Sequence, residues 1–301
     1  MDLHRLIAAS AEEEASRAEE VRAPVDGSAA RRRSAALAVC GGLAVLLVLG
    51  VVAAVGFRLI GGSWFIVQTP SMGTAAPVGS LVVDLPADPG ELHRGDLISF
   101  RPPTSPDEVY THRIRSIGPD GIRTRGDING AEDPWTVQGR DLVGRVVAVL
   151  PGVGWLVRSL PILIGGLALV WLLSGAVRTP HRRFALRLLG VPLVVSVVLL
   201  WLKPFINTAV LLTDSHGGRT MARIVSTGLL PVEVSEQGGA SVRLSSGQVG
   251  DLWLARSDVQ GHFWMSSALA LPVWGWVVVG VLCAVPAAVA LLVGRRVTRP
   301  A

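Results

Sequence analysis

The sequence is poor in lysine, cysteine and charge. Its 301 residues carry 28 basic side chains, of which Lys203 is the single lysine, and charged residues make up only 17% of the chain. The two cysteines, Cys40 and Cys283, lie inside apolar stretches and have neither CxxC nor metal-ligand spacing. The composition therefore excludes a disulfide-stapled domain and gives no sign of thiol chemistry.

Apolar residues, in contrast, are abundant. They form 50% of the chain, and the mean hydropathy is +0.49, which is unusual for a soluble domain. This excludes a disordered chain, a fibrous repeat and an ordinary cytosolic enzyme. The formal charge of +5 comes from arginines at the ends of apolar segments, not from a basic stripe with interleaved aromatics. That pattern favours a membrane protein and argues against a nucleic-acid partner.

Four long apolar segments predict transmembrane helices, at residues 35–57, 152–177, 188–212 and 268–293. The third is the least regular, because Lys203-Pro204 and Asn207 interrupt it. For the first segment a cleaved signal peptide ending at Ala54-Val55-Gly56 is the alternative, but the apolar run is too long and the leader too acidic.

Arginine clusters predict the orientation of these segments. One cluster precedes the first segment, a second lies between the second and third, and a third follows the fourth. With four spans all three clusters lie on one side, which the positive-inside rule assigns to the cytoplasm. We therefore expect a multi-pass plasma-membrane protein with cytoplasmic tails at 1–34 and 294–301, a cytoplasmic loop at 178–187, and extracytoplasmic segments at 58–151 and 213–267.

The extracytoplasmic segment 58–151 predicts a mainly-β domain. Short apolar or alternating runs are separated by Gly, Pro and Asp, and Val109–Ile114 shows the period of two that is typical of a strand. The segment 213–267 is rich in Gly and Ser and has shorter strand-like pieces. For it we expect a small β-hairpin unit packed on the main domain, and we assign it no chemistry.

Nucleophilic catalysis is the chemistry that the residues of 58–151 favour. Ser71 needs a base, and Lys203, inside the third apolar segment, is remote from it in the chain. His112 lies in the same predicted domain, and imidazole accepts and returns a proton near neutral pH. Asp127 and Asp133 follow as carboxylates that can orient it. The segment has only two histidines, no HExxH and no phosphate-binding loop, so metal and nucleotide sites are poorly supported.

Five short motifs in this segment occur in the order found in one enzyme family. With them residues 40–155 resemble type I signal peptidase, and specifically the endoplasmic-reticulum/archaeal type that uses Ser–His instead of Ser–Lys. The motifs are Thr69-Pro70-Ser71-Met72, running on to Pro77-Val78-Gly79-Ser80 and a strand; Arg94-Gly95-Asp96-Leu97-Ile98-Ser99-Phe100; Tyr110-Thr111-His112-Arg113-Ile114; Gly126-Asp127-Ile128-Asn129 with Asp133; and Leu142-Val143-Gly144-Arg145-Val146.

The resemblance implies a role for each matching residue. Ser71 is expected to be the nucleophile, His112 the general base and Asp133 the carboxylate that supports the histidine. Asp127 is the second motif aspartate, either structural or supporting. The Ser71 N–H, with the Thr69 hydroxyl, is expected to form the oxyanion hole.

The chain departs from the family pattern at three places. Thr74 stands where proline is usual, Pro70 precedes the nucleophile, and Ile128-Asn129 replaces an Asn pair. None of these removes a catalytic group, although Thr74 and Pro70 can alter the substrate groove.

The resemblance implies an integral membrane serine endopeptidase, signal peptidase I, that removes signal peptides from exported preproteins without a cofactor. Its expected partners are preprotein signal peptides and the lipid bilayer, and an accessory membrane subunit is left open. The alternative is a catalytically inactive, signal-peptidase-like module for binding or assembly. A channel or transporter is poorly supported, because the spans contain few charged residues.

Overall fold

The structure is a computed structural model that describes residues 27–216, 219–236, 239–254 and 263–297. The chain divides after Ile60 into two compact units. The first unit contains helix α1 (Gly27–Leu59). The predicted polar tail 1–34 is thus described only from residue 27, where α1 already begins. The second unit starts at Gly61 and contains all the other elements.

The first β domain (residues 61–150) is a six-stranded antiparallel sheet with the strand order β1-β2-β6-β3-β4-β5. Its core lies on one face, where Ile98, Phe100 and Ile114 are almost completely buried. The mainly-β architecture expected for this segment is present. The strands are β1 (Ser63–Ile66), β2 (Leu81–Leu85), β3 (Leu97–Phe100), β4 (Tyr110–Gly118), β5 (Gly121–Arg125) and β6 (Leu142–Leu150).

Two helices follow the first β domain and pack against each other. Helix α2 (Val153–Ala176) and helix α3 (Pro180–Leu202) approach closely at two glycines. Gly166 of α2 lies against Val194 of α3, and Gly190 of α3 lies against Val170 of α2. Small residues at such positions let helix backbones come close, as in helix pairs within membranes.

In the described residues of the second β domain (residues 208–269), the strands form two three-stranded sheets, ordered β11-β8-β7 and β10-β9-β12. They share one apolar core, which includes Ile224, Val234, Leu244 and Leu252. The segment was expected to form a small β-hairpin unit, and the structure instead shows two sheets around an apolar core of their own. The strands are β7 (Thr208–His216), β8 (Arg219–Ser226), β9 (Val232–Glu236), β10 (Ser241–Leu244), β11 (Val249–Leu254) and β12 (Met265–Leu269).

The third predicted span, 188–212, has the wrong bounds. Helix α3 ends at Leu202, where Lys203 takes a left-handed conformation (φ 46°) and Pro204 follows, which a helix cannot accommodate. Residues 208–212 pair with β8 instead. At the other end α3 already begins at Pro180, so most of the predicted loop 178–187 is helical.

The fourth predicted span, 268–293, also has the wrong bounds, because its helix begins and ends later in the chain than predicted. Its first residues complete strand β12, and helix α4 (Val273–Val297) begins only after Pro272. The second span, 152–177, differs from α2 by one residue at each end.

Three helices in the described part of the chain are long and apolar enough to cross a membrane: Val153–Ala176, Pro180–Leu202 and, within α4, Val273–Ala290. The apolar stretch Ala44–Leu59 of α1 is shorter. With the mainly-β first domain, these helices fit a signal-peptidase-like membrane protein.

Candidate active site

The sharp turn that carries Ser71 connects β1 to β2. A short 3-10 helix, Pro70–Ala75, forms it, and we call this segment the catalytic turn. Within it Gly73 has φ 54° and ψ −130°, a conformation that is essentially restricted to glycine. Met72 is buried, with 1% exposure, and anchors the turn in the domain. The half-buried Ser71 side chain faces an open cavity.

His112 lies on β4, the strand whose alternating side chains fill the core, and it is only 5% exposed. Its Nε2 is 3.0 Å from Ser71 Oγ. The imidazole packs edge-on against the rings of Tyr110 and Phe100, with centroids 5.9 and 6.1 Å away. These neighbours fix the ring so that one nitrogen reaches the serine.

Asp133 lies on the other side of the imidazole. Its Oδ2 is 2.7 Å from His112 Nδ1, and the carboxylate is 6% exposed. The Thr124 hydroxyl donates a second hydrogen bond to the same oxygen over 2.5 Å. In addition, the Asp133 N–H donates to the Thr124 carbonyl. The two contacts with β5 fix the carboxylate in position to orient the histidine.

Asp127 makes a different contact. The Arg113 guanidinium donates to both of its oxygens, over 2.8 and 2.7 Å, and to the Gly95 carbonyl over 2.9 Å. Hydrogen bonding to Asp127 raises the pKa of Arg113 above its ordinary value. Asp127 therefore ties β4 to the loop after β5, and its role, structural or supporting, stays a prediction.

The loop after β5 also packs directly on Ser71. The Ile128 N–H donates to the Ser71 carbonyl over 3.0 Å. A Cβ at Gly126 would lie 2.7 Å from that carbonyl oxygen and 2.9 Å from Ser71 Cβ, so a side chain there would displace Ser71. Asn129 and Thr69 line the same cavity as Ser71.

The cavity has a volume of about 690 Å³ and two walls. One wall is Phe65–Thr69, which leads from β1 into the catalytic turn, and the other is Asp107–His112, which leads into β4. Both walls end at the Ser71–His112 pair. In the described sheet β1 is an edge strand that pairs with β2, and its residues Phe65 and Ile66 line this cavity. An extended peptide can pair with such an edge.

Two other groups of the first β domain have shifted pKa values. Burial raises the pKa of Tyr110, and Glu108 adds to the shift by hydrogen bonding. Burial also raises the pKa of Asp84 on β2 to about 6, and the Ser99 hydroxyl partly opposes this shift. Among the residues that the structure describes, no group of His, Cys, Asp and Glu side chains is arranged to hold a metal ion.

The geometry thus unites a serine, a histidine and a buried carboxylate at the end of a peptide-sized groove. Residues 40–149 match the model of the family described as signal peptidase, peptidase S26. The matched segment is 110 of the 301 residues, and it holds Ser71, His112, Asp127 and Asp133. No curated protein matches the chain. The family match supports a peptidase in the first β domain, and it does not cover α2–α4 or the second β domain.

Most of the residues that meet at this site were predicted from the sequence. The structure brings Ser71, His112 and Asp133 together and places Thr69 beside them. It leaves Asp127 with Arg113. Their catalytic roles remain predictions. The sequence analysis missed Thr124, the second hydrogen-bond partner of Asp133. A threonine on β5 has no sequence signal that marks it as a partner of this carboxylate.

Proposed function

We propose that this chain is a membrane-anchored serine endopeptidase that cleaves signal peptides from exported preproteins. The observation that carries the proposal is the hydrogen-bonded series Ser71–His112–Asp133, whose serine and histidine line the cavity beside the edge strand β1. The match of residues 40–149 to signal peptidases supports the same function.

In the proposed reaction His112 Nε2 removes the Ser71 proton as Oγ attacks the carbonyl carbon before the scissile bond. Asp133 accepts the hydrogen bond from Nδ1–H and stabilises the imidazolium. The Ser71 N–H and the Thr69 hydroxyl stabilise the oxyanion. When the C–N bond breaks, His112 gives its proton to the leaving amine. Water, deprotonated by His112, then hydrolyses the ester and restores Ser71.

The substrate is proposed to bind as an added strand between the Phe65–Thr69 and Asp107–His112 walls. The start of α2 lies close to this region. The Trp155 indole lies directly against Gly79, and the backbone N–H of Trp155 donates to the Gly79 carbonyl over 3.2 Å. A helix that enters the bilayer there holds the groove close to the membrane surface, where a preprotein's signal peptide also lies.

The proposed topology has four spans, with α1 as the first and both β domains outside the plasma membrane. The arginine clusters support this arrangement through the positive-inside rule.

The test is cleavage of a preprotein with an Ala-x-Ala site by the purified full-length protein in detergent, read by intact mass. Wild type is expected to cut after the second alanine. Ser71→Ala and His112→Ala are expected to reduce the rate at least about 1,000-fold. Ser116→Ala, on the far part of β4, is the matched control and should cut at the wild-type rate.

The same assay separates the peptidase from an inactive binding module. Turnover by wild type that Ser71→Ala lacks supports the peptidase. Stoichiometric binding of several preproteins without turnover would instead indicate the module, and activity that survives both substitutions would overturn the proposed mechanism.

A further inference from the structure

Gly247 of the second β domain contacts the catalytic turn. Gly247 lies in the turn between β10 and β11 and is buried, with φ 74°. A Cβ at this position would collide with the carbonyl group of Gly73 and come within 2.9 Å of Thr74 N. The atoms that it would strike are backbone atoms, which cannot rotate out of the way as the end of a side chain can.

Gly73 also lies against the loop after β5. A Cβ on Gly73 would lie 2.6 Å from Ile128 Cγ2 and 3.3 Å from the Gly247 carbonyl oxygen. The catalytic turn is therefore held between the loop after β5 and the second β domain. Because Gly73 is two residues from the nucleophile, a shift at Gly73 moves Ser71 relative to His112.

The turn that carries Gly247 is itself firmly held. The Gly247 N–H donates to the Ser226 carbonyl over 2.9 Å, and the Ser226 N–H donates to the Gln248 carbonyl over 3.0 Å. The Gln248 side chain accepts a hydrogen bond from the Ser245 N–H over 3.0 Å. These bonds continue the β8–β11 ladder to its end. Gly73 thus rests on the end of a sheet.

The same sheet end is fixed to the membrane helices. Leu229 N–H donates to the Pro204 carbonyl over 2.8 Å, directly after α3, and Thr227 N–H donates to the Asn207 carbonyl over 2.8 Å. The Leu229 side chain packs on Gly152, which immediately precedes α2. The contact with Gly73 is therefore made by a domain anchored at its base.

We propose that the second β domain positions the nucleophile, with Gly247 as the positioning residue that holds Gly73 and, through it, Ser71. This rests on the proposed peptidase function and assigns a role to a segment outside the family match. Gly247 touches neither substrate nor the reacting atoms; it acts through the backbone of the catalytic turn.

The experiment compares three full-length variants in detergent. Gly247→Ala adds the colliding Cβ, and Gln248→Ala loosens the turn without adding an atom near Gly73. Gly250→Ala is the control, because its Cβ meets only the side chains of Leu244 and Val242 in the same domain. Cleavage kinetics give kcat and KM, and amide hydrogen exchange of peptides covering residues 68–78 reports the catalytic turn whether or not the protein cleaves.

For Gly247→Ala we expect kcat to fall about 10- to 100-fold with KM within about two-fold of wild type, since a misplaced nucleophile slows chemistry more than binding. Exchange in the catalytic turn should rise. Gln248→Ala should show the same changes at a few-fold size, and it keeps the test decisive if Gly247→Ala does not fold. Gly250→Ala should lower thermal stability but leave kcat and exchange of residues 68–78 unchanged.

Wild-type kcat and unchanged exchange in both Gly247→Ala and Gln248→Ala would overturn the positioning role. Equal losses in Gly250→Ala would also overturn it, because they would mean that general destabilisation is the cause. If wild type cleaves no preprotein, the peptidase proposal fails, and hydrogen exchange still decides whether Gly247 holds the turn.

Discussion

The two aspartates of the Gly126–Asp133 region have different partners, so their removal should have different effects. Asp133→Asn should lower kcat at least about 100-fold, because the amide can present the wrong group to His112 Nδ1 and favour the wrong tautomer. Asp127→Asn should keep kcat within a few-fold of wild type. It breaks a half-exposed ion pair with Arg113, and such pairs contribute about 1 kcal/mol or less. Kinetics and thermal unfolding of both variants test this, and a larger kcat loss in Asp127→Asn would contradict it.

Asp84 predicts a pH dependence of stability at the residue scale. It is 1% exposed, and its folded-state pKa of about 6 lies above the ordinary 3.8. Between these values the folded protein binds more protons than the unfolded chain, so the free energy of unfolding falls as pH rises from about 4 to about 7. The shift of about two units corresponds to about 3 kcal/mol.

Asp84→Asn removes this ionisation and should therefore be most favourable at high pH. Relative to wild type, its free energy of unfolding should rise by about 3 kcal/mol between pH 4 and pH 8. Chemical denaturation of both proteins across this range measures the difference. A difference that stays constant with pH would mean that folding does not shift the pKa of Asp84.

At the scale of elements, sequence reasoning located the strand that carries His112 because its signal is local. The alternation in β4 that places His112 and Ile114 inside is readable residue by residue. The end of α3 was missed because apolar residues continue past Leu202. The helix nevertheless ends there, since Lys203 is left-handed and Pro204 cannot continue a helix. The contact between Gly247 and Gly73 has no sequence signal, since it joins residues far apart in the chain whose only shared property is the lack of a side chain.

The α2–α3 pair allows a test with adjacent glycines. Gly166→Val would drive two methyl groups into Val194, because even a Cβ at Gly166 lies 2.6 Å from Val194 Cγ1. Gly165→Val makes the same change in helix propensity, but a Cβ at Gly165 has no neighbour within 4 Å. Gly166→Val should therefore unfold at a clearly lower temperature in detergent than Gly165→Val. Equal unfolding temperatures would show that the close approach of the helices contributes nothing to stability.

At the scale of the whole molecule, the extensions beyond the matched residues 40–149 explain how a small sheet domain can hold a strained turn. Gly73 requires an unusual backbone conformation, and such strain persists only where the surroundings determine it from several sides. The loop after β5 supplies one side and the second β domain the other. The second domain is in turn attached to the end of α3, so the membrane helices and the catalytic turn belong to one connected framework.

The orientation of this framework in the membrane is testable by cysteine labelling. In a chain with Cys40→Ser and Cys283→Ser, single cysteines replace Ser105 of the first β domain, Ser241 of the second, Thr179 between α2 and α3, and Ser34 before the apolar part of α1. A membrane-impermeant maleimide is added to intact and to permeabilised cells. With four spans, Ser105→Cys and Ser241→Cys should react in intact cells, whereas Thr179→Cys and Ser34→Cys should react only after permeabilisation. Reaction of Ser34→Cys in intact cells, with the other three unchanged, would mean that α1 does not cross and that three helices anchor the protein.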